Sequence, residues 1–203
     1  MSNHGVVLGI DVGGPAKGFH AVALQDGAYL AKFSASDAAS MAQWCHEVDA
    51  RVIGIDAPCR WSMTGRARPA ERELAAQGIR CFATPKREMA ENGQFYRWMV
   101  NGASLYRLIE RYYPLFDGRN ADRACFETFP QAVACALAGK LVSARQKRVV
   151  RRELLREAGI DTAAFTNIDT IDAALCAIAA NCFLAGRIKT YGDAVEGFIV
   201  VPG

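Results

Sequence analysis

Four carboxylates stand where apolar runs give way to turns or begin a helix: Asp11 in Val6-Val7-Leu8-Gly9-Ile10-Asp11-Val12, Asp56 in Val52-Ile53-Gly54-Ile55-Asp56, Glu127 in Phe126-Glu127-Thr128-Phe129, and Asp172 in Ile171-Asp172-Ala173-Ala174. An ionised carboxylate in such a run is expensive unless it is paired, hydrogen-bonded or bound to a cation. Each has a local alternative. Asp11 can bind the amides of its Gly13-Gly14 turn, Asp56 can form a turn before Ala57-Pro58, Glu127 can face the start of the helix near Pro130, and Asp172 can close a capping box begun by Asp169. Three strand ends and one helix start that all carry acids are more specific than any one of them. Oxygen-only donors suit hard cations, Mg²⁺ or Mn²⁺, and a pair of such ions activates water and stabilises the leaving oxygen of a phosphodiester without a protein nucleophile. Asp11, Asp56, Glu127 and Asp172 are therefore expected to be both the metal ligands and the catalytic residues.

The elements that must position them are readable in outline. Val6–Val12 predicts a buried strand closed by Gly13, Gly14 and Pro15. Phe19–Leu24 and Ala28–Phe33, joined by Gln25-Asp26-Gly27, predict a hairpin, so the chain opens with an antiparallel meander. Ser36 is expected to cap a helix reaching Val48, followed by a strand ending at Asp56. Residues 60–100, punctuated by Gly65, Pro69, Gly78, Pro85 and Gly93, predict an irregular insertion with one short helix over 70–77 that forms a lid. Then follow a helix over 104–113, a strand over 124–129, a helix over 131–138 ended by Gly139, a long basic helix over 144–158, an apolar helix over 169–184 and a final strand over 197–201. A helix between strands implies a parallel crossover. The expectation is an α/β, ribonuclease-H-like mixed sheet, an antiparallel meander followed by parallel strands, flanked by helices.

With 203 residues, about half of them hydrophobic, the chain is long enough for one core, and residues 1–203 are expected to form a single domain. The N-terminal apolar stretch is broken by Asp11, and no uninterrupted apolar run has bilayer length, so a cytoplasmic, membrane-free protein is expected. Seven scattered cysteines without a CxxC pair predict reduced thiols, and His4, His20 and His46 make no cluster with them for zinc. The net charge of +3 permits nucleic-acid binding without arguing for it.

Basic residues gather in two places. Arg145-Gln146-Lys147-Arg148-Val149-Val150-Arg151-Arg152 predicts a helix carrying Lys147 and Arg151 on one ridge, above an inward stripe of Val150, Leu154 and Ala158, and such a ridge can hold a phosphate backbone or simply face solvent. The insertion sets Arg66, Arg68, Arg72, Arg80, Lys86 and Arg87 around Trp61, Phe82 and Phe95, a mixture that can bind single strands, although plain packing of the aromatics is the simpler role. Lys17, in the first turn, either competes with a metal or holds substrate phosphate, which makes Lys17, Lys147 and Arg151 the substrate-binding candidates.

Gly9-Ile10-Asp11-Val12-Gly13-Gly14 with Gly18-Phe19-His20-Ala21-Val22, then Gly54-Ile55-Asp56-Ala57-Pro58, Glu127-Thr128-Phe129-Pro130 and Asp169-Thr170-Ile171-Asp172-Ala173-Ala174 resemble the domain of unknown function 429 family. The resemblance runs through Gly192-Asp193 and Glu196-Gly197 to Pro202. It implies a ribonuclease-H-like fold and a predicted nuclease activity, and fold carries over more safely than function. It also makes Asp169-Thr170-Ile171-Asp172 similar to the paired aspartates of junction resolvases, with Asp172 the ligand and Asp169 an accessory. Three functions are thus in view. The first is a metal-dependent nuclease acting on DNA or RNA. The second is a small phosphotransferase, because the Gly9–Gly14 turn also looks like that of actin-like ATPases, although the chain has one such half and no second glycine-rich loop. The third is a non-catalytic nucleic-acid-binding module.

Overall fold

The computed structural model describes residues 5–119 and 121–203, so His4 lies outside the described residues. Seven strands, β1 (Val7–Val12), β2 (Phe19–Gln25), β3 (Ala28–Ala35), β4 (Val52–Asp56), β5 (Ala124–Glu127), β6 (Ile188–Asp193) and β7 (Gly197–Pro202), form one sheet in the order β3-β2-β1-β4-β5-β7-β6. β1, β2 and β3 are antiparallel neighbours, β1, β4, β5 and β7 run parallel, and β6 returns antiparallel on the far edge. This is the ribonuclease-H-like mixed sheet that the pattern of runs and turns predicts. The first hairpin turns at Asp26 and Gly27, both at positive φ (51° and 79°), the geometry that a two-residue loop between twisted strands requires.

Alternation along each strand divides the core in two. Leu8, Ile10, Ile53, Ile55 and Cys125 pack toward α1 (Ala38–Glu47) and α4 (Arg97–Ile109). Val7, Val52, Ala124 and Phe126 pack on the opposite face, which is covered by α5 (Pro130–Ala138), α6 (Lys147–Glu157) and α7 (Ile168–Leu184). Helix α7 lies across β1, β2 and β4 at unusually close range, because Gly9 and Gly54 have no side chains to hold it off. A Cβ on Gly9 would sit 2.0 Å from the Ala173 carbonyl oxygen and 2.0 Å from the Ala177 amide nitrogen, and one on Gly54 2.7 Å from the Cys176 carbonyl oxygen. Both obstacles are backbone, so only movement of the whole helix relieves them. Gly9→Ala is therefore expected to destabilise the protein by about 3 kcal/mol, the upper end of overpacking costs. A urea-unfolding midpoint unchanged from the parent would show that α7 is not held this closely.

Several boundaries differ from expectation for physical reasons. The 60–100 segment holds more regular structure than one helix: α2 (Pro69–Ala76), α3 (Arg87–Asn92), a 3₁₀ turn (Gln94–Tyr96) and the start of α4. Pro69 there begins a helix rather than breaking one, since its missing N–H falls among the unbonded donors of the first turn. Asp37, not Ser36, caps α1 by accepting from the Ser40 amide at 2.8 Å, and Asn167, not Asp169, caps α7 by accepting from Thr170 at 2.8 Å. β6 is an edge strand of mixed exposure, without the apolar run that marks the central strands. Among the described residues no helix is long and apolar enough to cross a membrane, and all seven cysteines are free thiols.

Candidate acidic site at the sheet edge

β1 and β4 run parallel in a register that sets Asp11 beside Asp56. Gly9 and Gly54, two residues back on the same strands, face α7, so by the two-residue alternation Asp11 and Asp56 project toward α7 as well. Asp172, in the second turn of α7 and 6% exposed, comes down on that pair from the helix side. One turn earlier Asp169 borders the group, held by Lys17 Nζ at 3.1 Å and lying 3.9 Å from His20 Nε2. His20 is the cross-strand partner of Asp11, with Nδ1 hydrogen-bonded to Ser34 Oγ at 2.9 Å. Sequence reasoning did not place His20 at the site, although the Asp26-Gly27 turn fixes the hairpin that sets it there.

Electrostatics record the crowding. Burial, then the charges of Asp172 and Asp169, push the Asp11 carboxyl up to about 7, against the opposing pull of Lys17 and Lys147. Asp56 is raised well above the carboxylate range by burial and by Asp11 and Asp172. Asp172 is raised chiefly by burial, while Arg151 and Lys147 pull it down. Among the described residues neither Asp11 nor Asp56 takes part in a side-chain hydrogen bond or an ion pair. Two adjacent half-buried carboxylates with no internal partner present the donor chemistry that a hard cation satisfies.

The other expected members are engaged elsewhere. Asp172 accepts from Arg151 Nη1, and Arg151 Nη2 donates to Gln131 Oε1 at 2.9 Å. Arg151 is thus 5% exposed and faces inward with Leu154 and Leu155, not outward along the basic ridge, and its Nε has no partner among the described residues. The acid beneath the helix draws this arginine into the apolar stripe. Lys147 remains exposed on the first turn of α6, close enough to act on Asp11 and Asp172. Glu127 is the register partner of Ile55 and shares the parity of Cys125, so it leaves the sheet on the face away from α7. There Arg68 clasps it through Nη2 at 2.6 Å and Nη1 at 2.9 Å, and the Cys59 amide donates to it at 2.9 Å. Arg68 is 1% exposed and also binds Glu71 through Nε at 2.8 Å. The structure therefore brings Asp11, Asp56, Asp172 and Asp169 together and sets Glu127 behind them, bound to an arginine. Among the described residues no three His, Cys, Asp or Glu side chains are gathered as a ready metal cage. The Asp11 and Asp56 carboxylates are free of side-chain partners among the described residues, whereas Asp172 is held by Arg151.

A family model described as a protein of unknown function, DUF429, matches residues 9–196. No curated protein matches the sequence. Among solved structures, the Thermus thermophilus RuvC structure is 16% identical, aligning over 89% of this chain and 96% of that one with a TM-score of 0.49. T. thermophilus RuvC in complex with Holliday junction substrate is 15% identical, over 90% and 96%, with a TM-score of 0.46.

Proposed function

This chain belongs to the DUF429 family, and from that premise we propose that it is a divalent-metal-dependent phosphodiesterase acting on nucleic acid, with residues 1–203 working as one domain. The observation that carries the reading is the Asp11–Asp56 pair, neighbours in register on parallel strands, raised by burial and by neighbouring carboxylates, and without a side-chain partner among the described residues. Mg²⁺ or Mn²⁺ held by that pair would supply Lewis-acid polarisation of a phosphoryl oxygen. Asp11 and Asp56 donate carboxylate oxygens, Asp172 is the third donor, and Asp169 keeps Lys17 at the rim. Lys147, exposed beside the acids, faces incoming phosphate, while Arg151, freed from Asp172, would still have an unpartnered Nε to offer the same anion. Glu127 serves as a positioning residue, since its bond to the Cys59 amide fixes the turn that follows Asp56.

Calorimetric titration with Mn²⁺ tests the pair without a substrate. The parent is expected to bind, and Asp11→Asn or Asp56→Asn to weaken binding by more than about 10–100-fold, the range seen when only an outer partner of a metal site is lost, with loss of cleavage of labelled nucleic acid. Equal Mn²⁺ binding by all three proteins would remove the reading. A non-catalytic nucleic-acid-binding module is the second reading, favoured by the cations that Asp172 and Asp169 already hold. Nucleic-acid binding that needs no metal and survives Asp56→Asn would select it.

A further inference from the structure

Beside Asp56, on the Glu127 side, the sheet edge opens into a recess lined by Phe82, Trp98 and Phe129. Phe82 is 64% exposed, and its ring meets that of Phe95, 59% exposed, edge-on at 5.3 Å; Tyr96 continues the row at 5.1 Å. Two phenylalanines this open, in contact with each other, form an apolar patch that no described residue covers. Its surroundings are cationic. From Arg60 to Arg97 there are eight arginines and lysines against four glutamates, although the whole chain nets only +3, so this segment carries the positive balance of the protein. Arg68 is buried with Glu71 and Glu127, and Arg87 is paired with Glu91 at 2.7 Å, but Arg80 and Arg97, next in sequence to Cys81 and Trp98 of the recess, and Lys86 are exposed without a hydrogen-bonded acid among the described residues.

We propose that the Phe82–Phe95–Tyr96 row is a stacking platform for unpaired nucleobases, and that the segment's cations hold the backbone of a single strand leading to Asp56. The occupant follows from charge and shape together. An apolar peptide or a second copy of this chain would bury the rings but leave the cations unanswered, whereas a single strand offers flat π-faces and phosphates at once. A base-paired duplex keeps its bases stacked on one another and cannot supply the faces. The inference rests on the phosphodiesterase reading only for what happens at Asp56.

The test is binding of a fluorescent oligothymidylate in EDTA, which stops any metal-dependent cleavage, read by anisotropy. The parent is expected to bind the single strand more tightly than a blunt duplex of equal length. Phe82→Ala with Phe95→Ala, both exposed and so expected to leave the melting temperature unchanged, should bind roughly 10- to 100-fold more weakly. Arg80→Ala should reduce the salt dependence by about one counterion. Equal affinity of the double variant and the parent, no binding by the parent, or preference for the duplex overturns the platform. Cleavage in Mn²⁺ separates the two ideas: a double variant that binds and cleaves like the parent sinks the platform and leaves the phosphodiesterase, whereas the affinity loss in the variant with no cleavage by the parent does the reverse.

Discussion

Asp11→Asn, in metal-free buffer at pH 8, should be more stable than the parent by about 2–4 kcal/mol, the value of a carboxyl raised by some three units with its lower end allowing for partial exposure. The melting temperature should rise by roughly 5–15 °C for a chain of this size. The sign follows from linkage. Asp11 titrates near 3.8 when unfolded and about 7 when folded. Above pH 7 both states are ionised and the fold bears the full cost of the charge. As the pH falls from 7 toward 3.8 the folded chain takes up a proton that the unfolded chain does not bind, so the parent gains stability, and below 3.8 nothing distinguishes the two states. The advantage of asparagine should therefore be complete above pH 7 and shrink toward pH 4. Mg²⁺ or Mn²⁺ should raise the melting temperature of the parent and leave the variant where it is. A variant less stable than the parent at pH 8 would mean that Asp11 is a turn-forming residue whose charge the fold uses.

Arg68→Met should move stability the other way. Arg68 lies between two buried acids, Glu71 and Glu127, and its Nη1 also reaches the carbonyl oxygens of Arg60 and Glu196, both at 3.2 Å. Removing one partner of a buried ion network strands the others, at about 3–5 kcal/mol, which is on the order of 10 °C here. Lysine should restore little, since one ammonium cannot reproduce a planar fork that binds two carboxylates. Arg68→Met combined with Glu127→Gln should recover part of the loss, because the stranded charge goes with the arginine. Chemical unfolding of the three proteins measures this, and a loss below about 1 kcal/mol for Arg68→Met would show that water reaches Glu127 and Glu71 in the fold.

The acids of the sheet edge and Arg151 also show what one sequence can and cannot disclose. Asp11 and Asp56 are legible because each ends a run of branched apolar residues, and a charge there is anomalous whatever the fold. That Asp11 meets Asp56 while Glu127 turns away is a matter of strand parity. A shift of one residue in register exchanges the two faces, and apolar runs buried on both sides carry no alternation from which to read it. The inward turn of Arg151 was hidden for a related reason: a helical wheel assigns an arginine to water unless the acid across the gap is known, and Asp172 lies 21 residues on. The 60–100 segment looked irregular because glycine and proline mark turns and helix starts alike. β1, β2, β4, α5 and α7 were all readable, since each combines a long apolar pattern with a recognisable stop.

The close seat of α7 on Gly9 and Gly54 has a consequence in time. A ribosome releases β1 early and α7 late, while a domain folds as a unit, so β1 must wait for α7. Until α7 has emerged, Asp11 and Asp56 lack both the helix that covers them and the charge of Asp172 that raises them. The growing chain therefore carries no assembled acidic centre, and an unfinished or truncated product that lacks α7 is born without the activity proposed for the whole.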